Sequence, residues 1–247
     1  MSKLKAVILA AGKGTRMNSD LPKVVHKCLE QPMVHYVIKA AKDAGALDVC
    51  VIVGYKANEV KNAIYDVVDY AVQTEQLGTG HAVKCARDFI GTEGDTIVLC
   101  GDTPLITGET LGKLVEMHRK QANGVTVLSA ILDDATGYGR IIRDANGDFV
   151  KIVEHKDATE EEREVNEINS GMYIFNSEAL TASLDLLSND NAAGEYYLTD
   201  TISLIKKIGL KVSAMPLVGD AIDEIRGVNT LEQLAKAEDI MRNRNQQ

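Results

Sequence analysis

The sequence predicts an α/β fold: a doubly wound, mostly parallel mixed sheet with an inserted antiparallel hairpin region. Three observations predict it. Strand-length runs rich in Val and Ile, mostly without polar interruption, recur through the first half. Such runs mark strands covered on both faces. Segments with apolar residues at helical spacing lie between them, and β-α-β alternation of this kind builds a parallel, Rossmann-like sheet. In the second half an Asn-Gly pair divides two strand-like arms, the signal of an antiparallel hairpin.

The first half supplies strands at LKAVILA (4–10), DVCVIVG (48–54), VDYAVQ (68–73) and TIVLCG (96–101). The helix between the first two starts at Pro32 and stops at Gly45, with Val34, Val37, Ile38 and Ala41 on one face. Thr107 to Gln121 repeats the pattern through Leu111, Leu114, Val115 and His118. VTVLSAIL (125–132) is a further strand, and RIIRDANGDFVKIVEH (140–155) carries Asn146-Gly147 between its arms. KDATEEEREVNE (156–167) reads as an acidic loop or a short solvated helix. NSGMYIF (169–175), two helices and KVSAMP (211–216) follow. The last segment, from Leu231, is an amphipathic helix presenting Leu231, Leu234, Ala237 and Met241, with a frayed polar tail. Two parts are expected, a main domain over 1–229 and a C-terminal helix over 230–247.

The chain has 247 residues, 45% apolar and 26% charged, enough for a sizeable core. Its net charge of -9 argues against non-specific binding of nucleic acid or of an anionic membrane. No apolar run approaches the ~20 residues of a membrane span, and the N-terminal run reads as a strand, not a signal peptide. Cys28, Cys50, Cys85 and Cys100 form no C-x-x-C pair and have no histidine at zinc spacing. They read as reduced thiols of a cytoplasmic protein.

Ligands of parallel sheets bind beyond the carboxyl ends of the strands, so the residues after each strand carry the chemistry. Ala10-Ala11-Gly12-Lys13-Gly14-Thr15-Arg16 follows the first strand, and Lys23 comes after Pro22. Met17 breaks the dinucleotide pattern G-x-G-x-x-G, no acid for a ribose ends the second strand, and the P-loop spacing fails. What remains is a glycine-rich loop with three cations, suited to phosphates. After the fourth strand, Asp102 is placed either to hold Mg²⁺ beside phosphates or to cap the helix near Thr107. Gly78-Thr79-Gly80 opens another helix, suiting an anion or a base edge, and Gln73 and Gln76 can bond a base amide. His81 reads as a non-catalytic histidine at that helix start. His26, His35, His118 and His155 show no triad or metal spacing. Gly139, Glu154, Asn169 and Asn229 stand out from apolar surroundings as turn, cap or ligand residues.

LAAGKGTRMNSDLPK is similar to the signature L-x-x-G-x-G-T-x-M-x-x-x-x-P-K of sugar-phosphate nucleotidyltransferases. QLGTGHAV, GDTPL, TGYGRI, IVEHKDA, EINSGMY, GEYYLTD and EIRGVNT follow in family order, and together they resemble the bacterial N-acetylglucosamine-1-phosphate uridyltransferases over residues 4–230. The resemblance implies transfer of uridylyl from UTP to N-acetylglucosamine 1-phosphate. It implies that Leu9, Ala10, Ala11, Gly12, Gln73, Gly78 and Thr79 hold the uridine. Arg16 and Lys23 would be the catalytic cations on the phosphates, joined by Lys13. Asp102 and Asn229 would hold Mg²⁺, and Gly139, Glu154 and Asn169 the amino sugar. Relatives often carry tyrosine where this chain has Cys100. Full-length members continue into hexapeptide repeats that form a trimerising β-helix with acetyltransferase activity. Nothing here resembles those repeats, so a trimer is expected only where that domain is present. Another sugar 1-phosphate or base, or a silent nucleotide-sugar sensor, remains an alternative.

Overall fold

The computed structural model describes residues 3–244, so the end of the expected polar tail lies outside them. One nine-stranded sheet carries the molecule. Its parallel half consists of β1 (Leu4–Ala10), β4 (Asp48–Val53), β5 (Asp69–Val72) and β6 (Asp95–Cys100). Two-residue strands β2 (Lys27–Cys28) and β3 (Gln31–Pro32) pair separately. The second half adds β7 (Val125–Ile131), β8 (Arg140–Arg143), β9 (Phe149–Val153), β10 (Glu167–Asn176) and β11 (Val212–Leu217). The order is β11-β7-β10-β6-β1-β4-β5, with β8 and β9 attached as a hairpin beside β10. β10 runs antiparallel to both β6 and β7, while the other pairs along that order are parallel. The mixed, mostly parallel sheet expected from the sequence is the one observed.

Side chains of a strand point alternately to opposite faces, and both faces here are covered. Ala6, Ile8 and Ala10 of β1 join Val49, Val51 and Val53 of β4 in one core. Val7 joins Cys50 and Ile52 in the other. Helices α1 (Met33–Asp43) and α5 (Gly108–Lys120) cover the first face. Helices α3 (Thr79–Cys85), α4 (Arg87–Ile90), α7 (Ser177–Leu184) and α8 (Thr199–Lys207) cover the second. Each fully buried Val or Ile contributes about 1.5–3 kcal/mol relative to exposure, which is why these strands read as continuous apolar runs.

Short α2 (Ala57–Ala63) follows β4, and α6 (Glu160–Arg163) lies in the acidic stretch. Thr159 and Glu162 give α6 a reciprocal cap in which each side chain accepts from the other's backbone N–H. The hairpin turns over residues 144–148, where Asp144 Oδ1 accepts from Asn146 and Asp148 N–H at 2.9 and 3.0 Å. It is therefore a longer, aspartate-pinned turn built around the Asn-Gly pair. Helix α9 (Leu231–Arg244) seats Leu234, Ala237, Ile240 and Met241 on a small core of Cys28, Met33, Leu105 and Val228. Leu231, expected on that stripe, is 59% exposed, and Ile240 takes its part. Among the described residues no helix is long and apolar enough to cross a membrane.

Candidate active site

The strand order reverses between β1 and β6, since the chain runs outward to β4 and β5 before returning beside β1. Four polar side chains from distant parts of the sequence meet at the carboxyl ends of these strands. Lys23, in a single 3₁₀ turn, forms an ion pair with the carboxylate of Asp102, just past β6. Lys23 Nζ also donates to Asn229 Oδ1 at 2.8 Å, and Arg16 Nη2 donates to the same oxygen at 2.9 Å. Both donors lack an acceptor, so the shared atom must be the amide oxygen. Val228 N–H donates to the Asp102 carbonyl at 2.8 Å and fastens the 226–230 loop to the end of β6. The Lys23 and Asp102 side chains are 17% and 18% exposed, sheltered yet reachable.

Gly14 sits at φ 65°, and a Cβ there would lie 2.4 Å from Lys23 Cβ. Only glycine supplies both this left-handed backbone and this close approach. Lys13 stands apart from the group, with Nζ 5.5 Å from the centre of the Tyr55 ring. Asp102 does not cap α5. Thr107 does, its Oγ1 accepting from Thr110 N–H at 3.2 Å, and Glu224 in turn accepts from Thr107 N–H and Oγ1.

The fit of a metal can be judged from the Lys23 ammonium, which already rests on one oxygen from Asp102 and one from Asn229. The space between these two side chains thus suits a cation. Among the described residues no cluster of three or more His, Cys, Asp or Glu could hold a metal. A pair of protein oxygens completed by water and substrate phosphates is the arrangement Mg²⁺ favours.

Beside this group lies a cleft of about 320 Å³. Leu9, Ala10, Ala11, Gly12, Gln73, Gly78 and Thr79, every residue expected at the uridine, line it together with Lys23 and Asp102. Ala10 at the end of β1, with Ala11 and Gly12 just past it, presents little side-chain bulk to the cleft. A larger cavity of about 630 Å³ lies at the other end of β6, around Asp95, His118 and Arg119. Its carboxylate is already engaged by Arg119 Nε at 2.8 Å, and none of the glycine-rich loops reaches it.

Gly139, Glu154 and Asn169 also come together. Asn169 N–H donates to the Gly139 carbonyl at 2.8 Å, and a Cβ on Gly139 would meet Glu154 Oε2 at 3.3 Å. Register slips between Asn169 and Tyr173 of β10, with Gly171 at φ 78°, and this irregularity turns Asn169 Nδ2 onto the Tyr173 hydroxyl at 2.7 Å. Burial raises the Glu154 carboxyl above its ordinary value. The Thr199 hydroxyl, donating to Oε1 at 3.0 Å, opposes this, while Asp157, Asp200 and Glu195 add to it. Burial, helped by Asp157, Glu154 and Glu195, pushes the Tyr197 phenol up to about 12, so it stays a neutral donor. Cys100 stands between the two regions, lining the cleft with its Sγ 3.5 Å from the Gly171 carbonyl. Burial, helped by Asp102, pushes its thiol up to about 12, which favours the neutral thiol.

The 195–199 stretch runs from the cleft, which Glu195 lines, to Glu154, which accepts from Thr199. Gly80 N–H donates to the Tyr196 carbonyl at 2.7 Å, Tyr196 N–H to the Leu77 carbonyl at 2.8 Å, and Leu198 N–H to Thr79 Oγ1 at 3.1 Å. A Cβ on Gly78 would lie 2.6 Å from the Tyr196 carbonyl oxygen. The glycines of GTG thus serve this interlock, not only the approach of a ligand. Thr199 and Tyr197 were not singled out by sequence reasoning, although the motif holding them, GEYYLTD, was.

A base-sized slot that ends at paired cations and a cation-holding carboxylate, on a sheet that reverses there, defines an enzyme acting on nucleoside phosphates. The chain belongs to the nucleotidyl transferase family, whose model matches residues 5–219. It is 54% identical over 244 residues to a protein described as "Bifunctional protein GlmU" from Caldanaerobacter subterraneus subsp. tengcongensis, covering 99% of this chain and 53% of the relative. A protein of that name from Clostridioides difficile is 52% identical over 97% of this chain and 52% of its own length. The chain thus spans about half the length of these relatives. A crystal structure from Bacillus anthracis, provisionally assigned as a glucose-1-phosphate thymidylyltransferase and solved with sucrose, shares the fold with a TM-score of 0.77 at 23% identity. That match covers 96% of this chain and 94% of the other.

Proposed function

We propose that the chain transfers a uridylyl group from UTP to N-acetylglucosamine 1-phosphate, giving UDP-N-acetylglucosamine, a peptidoglycan precursor, and pyrophosphate in the cytoplasm. One observation carries this reading: Arg16, Lys23, Asp102 and Asn229 converge past the end of β6, beside a cleft lined by every residue expected at the uridine. The motif resemblance and the relatives support it. In this reading residues 1–229 form the transferase domain and 230–247 lead towards a second domain, with a trimer only where that domain is present.

The attacking group is a sugar-phosphate oxygen. A phosphate monoester has a second pKa of about 6 and is largely dianionic at neutral pH, so no general base is needed. The difficulty is bringing two polyanions together, and the protein answers with charge and alignment. Arg16 and Lys23 take up charge on the triphosphate and on the departing pyrophosphate, with Lys13 on the outer side of the same loop. Gln73, Gly78 and Thr79 fix the base, and Glu154 and Asn169 orient the sugar. Mg²⁺ held by Asp102 and Asn229 would neutralise phosphate oxygens.

Pyrophosphate release across four nucleoside triphosphates and several sugar 1-phosphates, with Mg²⁺ and with EDTA, tests the proposal. UTP with N-acetylglucosamine 1-phosphate and Mg²⁺ should give the highest kcat/KM. A higher value for another pair would reassign the substrates. No turnover with any pair would leave a nucleotide-sugar sensor.

A further inference from the structure

Gln73 is 4% exposed, and it lines the base cleft. One terminal atom of its side chain lies 3.1 Å from the Gly78 carbonyl oxygen and 3.1 Å from His81 Nδ1. A carbonyl oxygen only accepts, so the atom beside it must be the amide nitrogen. One of its two protons goes to Gly78. The other goes to His81, which makes Nδ1 an acceptor and puts the ring proton on Nε2. Both amide protons are then engaged by the protein. Among the described residues no donor reaches Gln73 Oε1, which is left to address a ligand.

We propose that His81 is a positioning residue for base selection. Its Nδ1 lone pair holds Gln73 with Oε1 towards the cleft, so the site selects a pyrimidine with a proton on N3, such as uracil or thymine, over cytosine. The inference rests on the uridylyl-transfer reading for the class of base and goes beyond it in naming what enforces the choice. Uracil N3–H donates to Oε1. Cytosine N3 carries a lone pair and meets Oε1 as a repulsion. The amide cannot flip to suit cytosine, because its oxygen would then face the Gly78 carbonyl and the His81 lone pair together. His81 lies in the first turn of α3, its ring centroid 6.4 Å from that of Tyr196.

The test compares kcat and KM for UTP and CTP, at saturating N-acetylglucosamine 1-phosphate, in the wild-type chain, His81→Phe and His81→Asn. Phenylalanine keeps a packed ring without the acceptor. Asparagine gives up the ring but presents Oδ1 near the position of Nδ1. His81→Phe should lose the preference for UTP over CTP by roughly 10–100-fold, the scale of one good base-edge contact, mainly through the KM for UTP. His81→Asn should retain it. A purely structural histidine gives the opposite order, and that order, or an unchanged preference in His81→Phe, overturns the proposal. In the wild-type chain, ¹⁵N NMR of His81 should show the Nε2–H tautomer, and an Nδ1–H tautomer overturns the proposal whether or not the variants fold. A wild-type chain that prefers purine nucleotides overturns the uridylyl-transfer reading instead, and the tautomer then decides the His81–Gln73 contact by itself.

Discussion

Gly14→Ala should disable the enzyme without touching a charged group. The new Cβ would lie 2.4 Å from Lys23 Cβ, and the two must part by about 1.0 Å to reach the 3.4 Å of ordinary contact. The obstructing atom is the first carbon of the lysine side chain, so moving it displaces the whole of Lys23. A displacement of that size takes Nζ beyond hydrogen-bond reach of Asn229, from 2.8 Å to past the usual limit of about 3.2 Å. Misplacement of a positioned group by about 1 Å costs on the order of 10² in rate. Alanine at φ 65° also strains the backbone by about 1–2 kcal/mol, which for a chain of this size lowers Tm by roughly 2–8 °C. Pyrophosphate release and thermal melting by circular dichroism measure the two effects. A variant within threefold of wild-type kcat/KM would refute the reasoning, because Lys23 would then not depend on the glycine for its position.

Three further predictions follow from the same geometry. Arg16→Ala removes an exposed guanidinium that bonds Asn229. It should lower kcat on the order of 10²–10³-fold with an unchanged melting curve, and near-normal turnover would exclude a phosphate role. Glu154→Gln should raise the KM for the sugar phosphate and, at neutral pH, raise Tm. Because burial raises its carboxyl, the folded chain holds the Glu154 proton longer than the unfolded chain, so stability falls as pH rises from the ordinary 4.5 through the raised value. The Tm gap between variant and wild type should therefore shrink as pH is lowered towards 4.5, and a pH-independent gap would contradict this. Gly112→Ala in α5, where a Cβ meets nothing within 4 Å, should stabilise the chain by about 0.4–1 kcal/mol in urea unfolding and leave kcat unchanged.

The centre of the parallel half was legible because β1, β4 and β6 are buried on both faces, so β-branched runs such as 48–54 announce themselves. The placement of β10 between β6 and β7 was not legible. It depends on pairings such as Tyr173 with Val98, far apart in the chain, which no local pattern encodes. Strands β2 and β3 are too short to show a period. At the site, Arg16, Lys23 and Asp102 stood out as polar residues after apolar runs. The pairing of Asp102 with Lys23 did not, because a carboxylate at a strand end reads as a Mg²⁺ ligand or a helix cap, and only the structure shows Thr107 capping its own helix. The glycines of 78–80 were read for the ligand they might approach, whereas their tightest neighbour is the Tyr196 backbone. His81 looked idle because its contact is with Gln73 eight residues earlier, across a loop.

In the proposed reading, that Tyr196 contact couples two specificities. The cleft wall and the stretch that reaches Glu154 are stitched by backbone bonds among Leu77, Gly80 and Tyr196. On the same reading, retuning the sugar through residues 195–199 would drag the base wall along, so the preferences for the two substrates would change together. Redesign that aims at a new sugar with the same base should start from Gly139 and Asn169, which bond each other through the backbone outside that seam.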